Sequence, residues 1–271
     1  MVYDCFSFFN ELDLLEIRLN IMNSVVDKFV IAEATRTHQK KEKPLHFFKN
    51  RERFKPFLEK IEYIVVDTYP TFWNSGRLKI NSWHYEKNQR EQLIKGLTKC
   101  NPDDMIIVSD LDEIPNPEVV KKHIQSNENI VFEQYMFMFY LNMISKSKNS
   151  NKYESWSGSV MTKFKNIKNL NKVRLLRGVE NTNTVRLPEA GWHFSYMGGV
   201  EKIVTKLESF AHTEFNYSDF KSPARIQEII QKGEDLFNPH VINTPLKDEN
   251  ILPPYLIQNK IKYRHLFAET N

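Results

Sequence analysis

IIVSDLDEIP, residues 106–115, runs an apolar stretch (Ile106, Ile107, Val108) into three acids, Asp110, Asp112 and Glu113, and closes on Pro115. A short β-branched run after the turn signal NPDD (101–104) is the pattern of a buried strand. The acids stand at its carboxyl end, where open α/β sheets bind their ligands. In an extended segment, residues two apart point to the same side, so Asp110 and Asp112 can face one ligand together. Their hard oxygens suit Mg²⁺ or Mn²⁺, which take one or two protein carboxylates and leave the remaining positions to water and phosphate oxygens. Two such carboxylates repel, so the chain should place positive groups nearby.

A D-x-D alone arises by chance in many chains; the strand that ends on it makes it a candidate metal–diphosphate site. One rival spells the same doublet. Phosphatases of the haloacid-dehalogenase type also end an apolar strand in D-x-D, but with Gly and then Thr or Val next. Here Glu113, Ile114 and Pro115 follow, which argues against a phosphoaspartate enzyme.

Working outward, VYDCF (2–6), KFVIAEA (28–34) and IEYIVVD (61–67) read as further strands. A helix with Asn10 as its N-cap and Leu12, Leu15, Leu19, Met22 and Val26 at helical spacing follows the first. TYPTFWNSGR (68–77) reads as a loop, about 79–99 as a long helix, and NPEVVKKHIQ (116–125) as a helix with Pro117 at its first position. Alternating strand and helix over residues 1–125 predicts an α/β fold with a mostly parallel central sheet flanked by helices. Polar residues stand at the other strand ends too: Asn10 and Glu11, Glu33, Asp67. Ordinary caps and turns account for Asp67 and Asn10, but not for the doublet. Beyond residue 125, IVFEQYMFMFYLNMIS (130–145) reads as a long strand or a strand pair. SWSGSVMTKF (155–164) and LPEAGWHFSYMGG (187–199) read as strands, and residues 200–212 and 222–233 as helices, a C-terminal helical elaboration.

Composition narrows the classes. A chain of 271 residues with 41% hydrophobic residues can bury a sizeable core, and a formal net charge of +4 does not point to nucleic acid. Cys5 and Cys100 suit reduced thiols and neither a metal nor a disulfide framework. The N-terminus lacks the pattern of a signal peptide, and no apolar run of about 18 residues predicts a membrane span.

Five blocks in order extend the case beyond the doublet: FNELDLLEIRLN (9–20), VVDKFVIAEATRTHQKKEKPLHF (25–47), SDLDEIP (109–115), AGWHFSY (190–196) and KLESFAHTEF (206–215). With them the chain resembles glycosyltransferase family 17, typified by β-1,4-mannosyl-glycoprotein β-1,4-N-acetylglucosaminyltransferases. The resemblance implies a GT-A fold in one domain over 1–271, with a nucleotide-binding half (1–125) and an acceptor-side half (126–271). It implies a D-x-D-bound Mn²⁺ or Mg²⁺, a UDP-sugar donor (UDP-GlcNAc), a glycan acceptor and inversion at the anomeric carbon. Vertebrate members carry a membrane anchor that this sequence lacks, so the expectation is a cytoplasmic enzyme of a bacterial cell or a viral host.

Within that frame Asp112 and Asp110 would hold the cation. His193 would be a third ligand or a phosphate donor; the alternative is a core histidine. Glu113 and Glu214 are the candidate bases, each alternatively a structural or surface acid. Glu33 would bond uridine or ribose, Asn10 and Glu11 would line the same crevice, and Arg90 would reach the diphosphate, unless it pairs with Glu86 one turn away. Trp192 would stack on a sugar ring or fill the core. Lys206 and His212 are weaker candidates for phosphate contact, and residues 35–43 and 146–152 are the expected lids. Two other classes stay open: a nucleotidyltransferase or phosphatase on a similar scaffold, and a carbohydrate-binding module that has lost activity. The absence of a Walker-type loop and the intact doublet count against them.

Overall fold

The computed structural model describes residues 1–71, 80–179 and 183–269; positions 72–77 of the expected loop and Lys79, the expected helix start, lie outside these. Strands β1 (Val2–Phe8), β2 (Lys28–Ala34), β3 (Ile61–Val66) and β4 (Met105–Asp110) pair in parallel in the order β3-β2-β1-β4. Parallel neighbours cannot be joined by a tight turn, so crossovers return the chain to the start of the next strand. The Leu12–Met22 helix packs Leu15, Leu19 and Met22 against Phe6, Phe8, Phe29 and Ile107 on one face of the sheet. The two-residue period of a strand sends Cys5, Val30, Ala32 and Val108 to the opposite face. There Leu93 and Leu97, in a 3-10 turn after the Ser82–Gln92 helix, cover them. The chain thus leaves β1 on one face and comes into β4 from the other, which opens a crevice between the carboxyl ends of β1 and β4.

The second half adds β5 (Glu113–Pro115), β6 (Asn129–Met138), β7 (Met143–Ser147), β8 (Ser155–Lys163), β9 (Thr184–Leu187), β10 (Gly191–Ser195) and β11 (Val241–Pro245). The sheet runs β11-β7-β6-β8-β4-β1-β2-β3, with β9 and β10 on β6 and β5 on β10. The expectation of a mostly parallel sheet needs correction. Among the described residues five strand pairings are parallel and five antiparallel. The physical reason is the connections: β6 turns into β7 over four residues, a distance that only an antiparallel pair can close. The aromatic run 130–145 is therefore the strand pair. The result is a Rossmann-like α/β fold with a mixed sheet flanked by helices.

Helix boundaries differ locally from expectation. The long helix is Ser82–Gln92 followed by a 3-10 turn, Leu93–Leu97. Asn10 is not an N-cap: the first helix begins at Leu12, Glu11 holds the cap position, and no side chain caps it. A third core joins the Val200–Leu207 and Pro223–Lys232 helices through Ile203, Leu207, Ile226 and Ile229, packed on Met138 and Phe139 of the sheet end. Both cysteines are free, and among the described residues no helix is long and apolar enough to cross a membrane.

Candidate active site

The doublet is not extended, and this corrects the geometry expected from spacing. β4 ends at Asp110, Leu111 and Asp112 form a turn, and β5 starts at Glu113. A buried arginine shapes that turn. Arg18, on the first helix, is paired with Asp4 of β1 at 2.6 Å, both side chains fully buried. Its guanidinium also donates to the carbonyls of Asp110, Leu111 and Glu113 and to the Ser109 hydroxyl. The turn is held from the other side by β10, where Gly191, Trp192 and His193 pair with Pro115, Ile114 and Glu113. A Cβ on Gly191 would lie 2.4 Å from the Ile114 carbonyl oxygen, so only glycine permits this approach.

The two aspartates then face different cations. Asp110 accepts from Arg174 at 2.7 Å and Arg90 at 3.3 Å. Burial alone would raise its carboxyl, but Arg174, Arg90 and Arg177 outweigh burial and hold it well below the usual carboxylate range. Asp112 accepts from Lys206 at 2.8 Å, and His193 Nε2 lies 3.6 Å from its other oxygen. Again burial raises, Lys206 and His193 lower, and the balance leaves the carboxyl below its ordinary value. Lys206 is shifted up in turn: Asp112 outweighs the burial that would discharge it.

A cavity of about 300 Å³ opens over this turn at the ends of β1 and β4. Of the expected residues it collects Glu11, Arg90, Asp110, Asp112, Glu113, His193, Lys206 and His212. The 35–43 loop contributes Arg36, Thr37, His38 and Lys43 to its wall. That loop is tied across the cavity by His38 N–H to the Ser209 carbonyl and by the Gln39 amide to the Leu207 and Phe210 carbonyls. Residues 146–152 contribute nothing to the wall; they turn back onto β11 through Lys148 and the His240 carbonyl.

Other expectations fall away for physical reasons. Glu113 is 1% exposed, and its carboxylate accepts from Arg174, Arg177 and the Trp156 indole on Oε1 and from the Asp110 amide on Oε2, so it is held as the buried partner of two guanidiniums. Glu214 is outside the cavity, 54% exposed and bonded to His212 Nδ1. Glu33 is fully buried and accepts from the His46 and Phe47 amides, Tyr63 and Lys43, so it anchors the short His46–Lys49 helix. Trp192 packs in the main core and donates to the Ile251 carbonyl. Asn10 lines a smaller neighbouring cavity and not the larger one. Arg90 makes the alternative pair considered for it, with Glu86 at 2.5 Å, and the same nitrogen also reaches Asp110.

Residues 1–269 match the profile of glycosyltransferase family 17. The chain belongs to glycosyltransferase family 17. It is 26% identical to the β-1,4-mannosyl-glycoprotein 4-β-N-acetylglucosaminyltransferases of Mus musculus and Homo sapiens, over 95% of this chain and 52% and 53% of theirs. The family 17 chain thus spans about half the length of the curated relatives it matches. Loose likenesses among solved structures are HddC from Yersinia pseudotuberculosis (TM-score 0.38, 8% identity, 69% of this chain and 89% of that one) and the inositol-1-phosphate CTP transferase from T. maritima (TM-score 0.34, 11%, 99% and 97%).

Two of the cations that answer these acids, Arg174 and Arg177, were not read from the sequence. Arg174 sits on the Leu170–Leu175 helix and Arg177 in the 3-10 turn after it, more than 60 residues from the acids they meet. Trp156, on β8, lies between Arg177 and the histidine: its ring is 4.9 Å from His193 and 5.3 Å from the Arg177 guanidinium. The only available signal was electrostatic, the need for positive charge beside adjoining acids. As donors for a divalent cation, Asp110 and Asp112 fit in type: hard carboxylates opening on one cavity, with Asp110 41% exposed. His193 Nε2 stands 3.6 Å from Asp112 at the edge of the same cavity. Among the described residues no group of three or more His, Cys, Asp or Glu is gathered for a metal.

Proposed function

We propose that this family 17 chain transfers N-acetylglucosamine from UDP-GlcNAc to a hydroxyl of a glycan, with inversion and with the help of a divalent cation. The observation that carries the reading is the crevice beyond β1 and β4, where Arg90, Arg177 and Lys206 line one cavity with Asp110 and Asp112. The donor sugar follows from the likeness to the N-acetylglucosaminyltransferases of mouse and human.

Asp112, with Asp110, would hold the cation, which when bound neutralises charge growing on the leaving diphosphate. The protein supplies the same sign of charge itself. Arg177, partly exposed and stacked on Trp156, faces the cavity and can donate to a phosphate oxygen. Lys206, which lines the same cavity, can do so as well. Arg174 and Arg90 fix Asp110, so the site is preorganised before donor arrives. Trp83 and His212, edge to face at 4.4 Å, give an aromatic surface where a nucleobase can pack. The tied 35–43 loop excludes water from the donor.

Purified protein with Mn²⁺ and a panel of UDP-sugars tests this through UDP release. UDP-GlcNAc should react fastest, and Asp112→Ala should abolish both release and metal-dependent UDP binding. No release from any donor would refute the assignment.

A further inference from the structure

We infer that Glu11 is the general base of the transfer and that the smaller cavity beside it receives the acceptor sugar; this rests on the glycosyl-transfer reading above. Inverting transfer needs an ionised carboxylate on the face of the sugar opposite the leaving diphosphate. Among the described residues five carboxylates line the larger cavity: Glu11, Glu86, Asp110, Asp112 and Glu113. Four of them are committed. Glu86 is paired with Arg90, Asp110 with Arg90 and Arg174, Asp112 with Lys206, and Glu113 with Arg174 and Arg177. Glu11 has no such partner: among the described residues its carboxylate accepts a single hydrogen bond, from the Asn10 amide at 3.0 Å.

Its position is the second observation. A smaller cavity of about 180 Å³ adjoins the larger, walled by apolar Leu12, Phe194, Met197 and Leu266 and by charged Asp13, Arg53 and Lys202. Apolar faces interrupted by hydrogen-bonding groups are what a pyranose presents in return: C–H faces and a rim of hydroxyls. Among the described residues, Glu11 and Lys206 are the two that line both cavities. Lys206 is the cation on Asp112, so it marks the side where the diphosphate leaves. Glu11 lines the same boundary, where an acceptor hydroxyl entering from the smaller cavity would meet the anomeric carbon.

The step balances without a further reactant. Glu11 takes the hydroxyl proton as the acceptor oxygen forms its bond to the anomeric carbon. The bond from that carbon to the diphosphate oxygen breaks, and its electron pair leaves with UDP. The sequence placed Glu11 among donor contacts and gave the base to Glu113 or Glu214; the ion pairing reverses that assignment.

The test compares wild type, Glu11→Gln and Glu11→Asp. UDP-GlcNAc binding is measured by calorimetry, and UDP release is measured with Mn²⁺ and water or a panel of free sugars as acceptor. Glu11→Gln should bind UDP-GlcNAc within about threefold of wild type and release UDP at least about 100-fold more slowly, the ordinary worth of a positioned base. Glu11→Asp, which keeps the charge and shortens its reach, should fall between. If the glutamine variant does not fold, the aspartate variant decides: a slower rate with intact binding supports the base, an unchanged rate overturns it. A Glu11→Gln rate within about threefold of wild type, or loss of donor binding in that variant, overturns the base while transfer itself stands. A wild type that releases no UDP removes the transfer reading and the base together.

Discussion

At Glu113 the charge problem posed by the doublet is turned inward. A carboxylate with almost no exposure is surrounded by two guanidiniums, an indole N–H and a backbone amide. Breaking a buried pair by removing one partner typically costs about 3–5 kcal/mol, because the other charge is left uncompensated. Asp110 still answers Arg174, so Glu113→Gln should sit at the low end, about 3 kcal/mol. That corresponds to a melting temperature lower by roughly 6–12 °C in a chain of this size. A calorimetric scan checks it, and a melting temperature unchanged to within about 1 °C would mean that the cluster is not what holds the turn. The same residue shows what was legible in the sequence. Asp110, Asp112, Glu11, Arg90 and Lys206 announce themselves through local spacing or block order. Arg174 and Arg177 do not, because what brings them to the acids is a long-range approach that no local pattern encodes.

Among the elements, β10 is the one on which the site depends most visibly. Its Gly191 lets the backbone come against Ile114 and Pro115, and the next two residues carry Trp192 into the core and His193 to Asp112. Gly191→Ala must push β10 away from β5. Overpacking of this kind costs about 1–3 kcal/mol, and here the displaced atoms include the Asp112 carbonyl, which accepts the Phe194 N–H at 2.9 Å. The expected outcome is a modest loss of thermal stability with a larger loss of UDP release, since the turn moves with the strand. Equal, small effects on both would show that the turn is held by Arg18 alone. The elements also explain where the fold was readable. The parallel half needs a helix between strands, so its alternation is written along the chain. The antiparallel half has short connections, and β5, β9 and β11, of three to five residues, leave too little periodicity to recognise.

Across the whole molecule the ion pairs converge on a single dependence on pH. Asp13 and Glu16 on the first helix, held by Arg53, His265 and Lys262, join Asp110 and Asp112 in having carboxyls below their ordinary values, the cations outweighing burial in each case. A group with a depressed folded-state pKa contributes stability that is complete above its unfolded value, near 4 for these acids. That contribution is lost as pH falls through the folded value. His38, within the loop that roofs the cavity, and His46 are also depressed, chiefly because burial disfavours the imidazolium. Their unfolded value is near 6.5, so the fold binds fewer protons than the unfolded chain below that pH, and stability declines there as well. The two sets predict a two-stage profile. Melting temperature should be level from about pH 8 to 7, decline gently between about 6.5 and 5, and drop steeply below about 4. His38→Asn should reduce the gentle stage and leave the steep one, because the carboxylate pairs lie on other elements. Thermal melts across that range decide between this and a level profile down to pH 5, which would mean that the histidines titrate in the fold as they do in water. Because the 35–43 loop is tied to Ser209 through the His38 backbone, the gentle stage should also appear as a rise in the dissociation constant for UDP-GlcNAc over the same interval, measured at constant Mn²⁺.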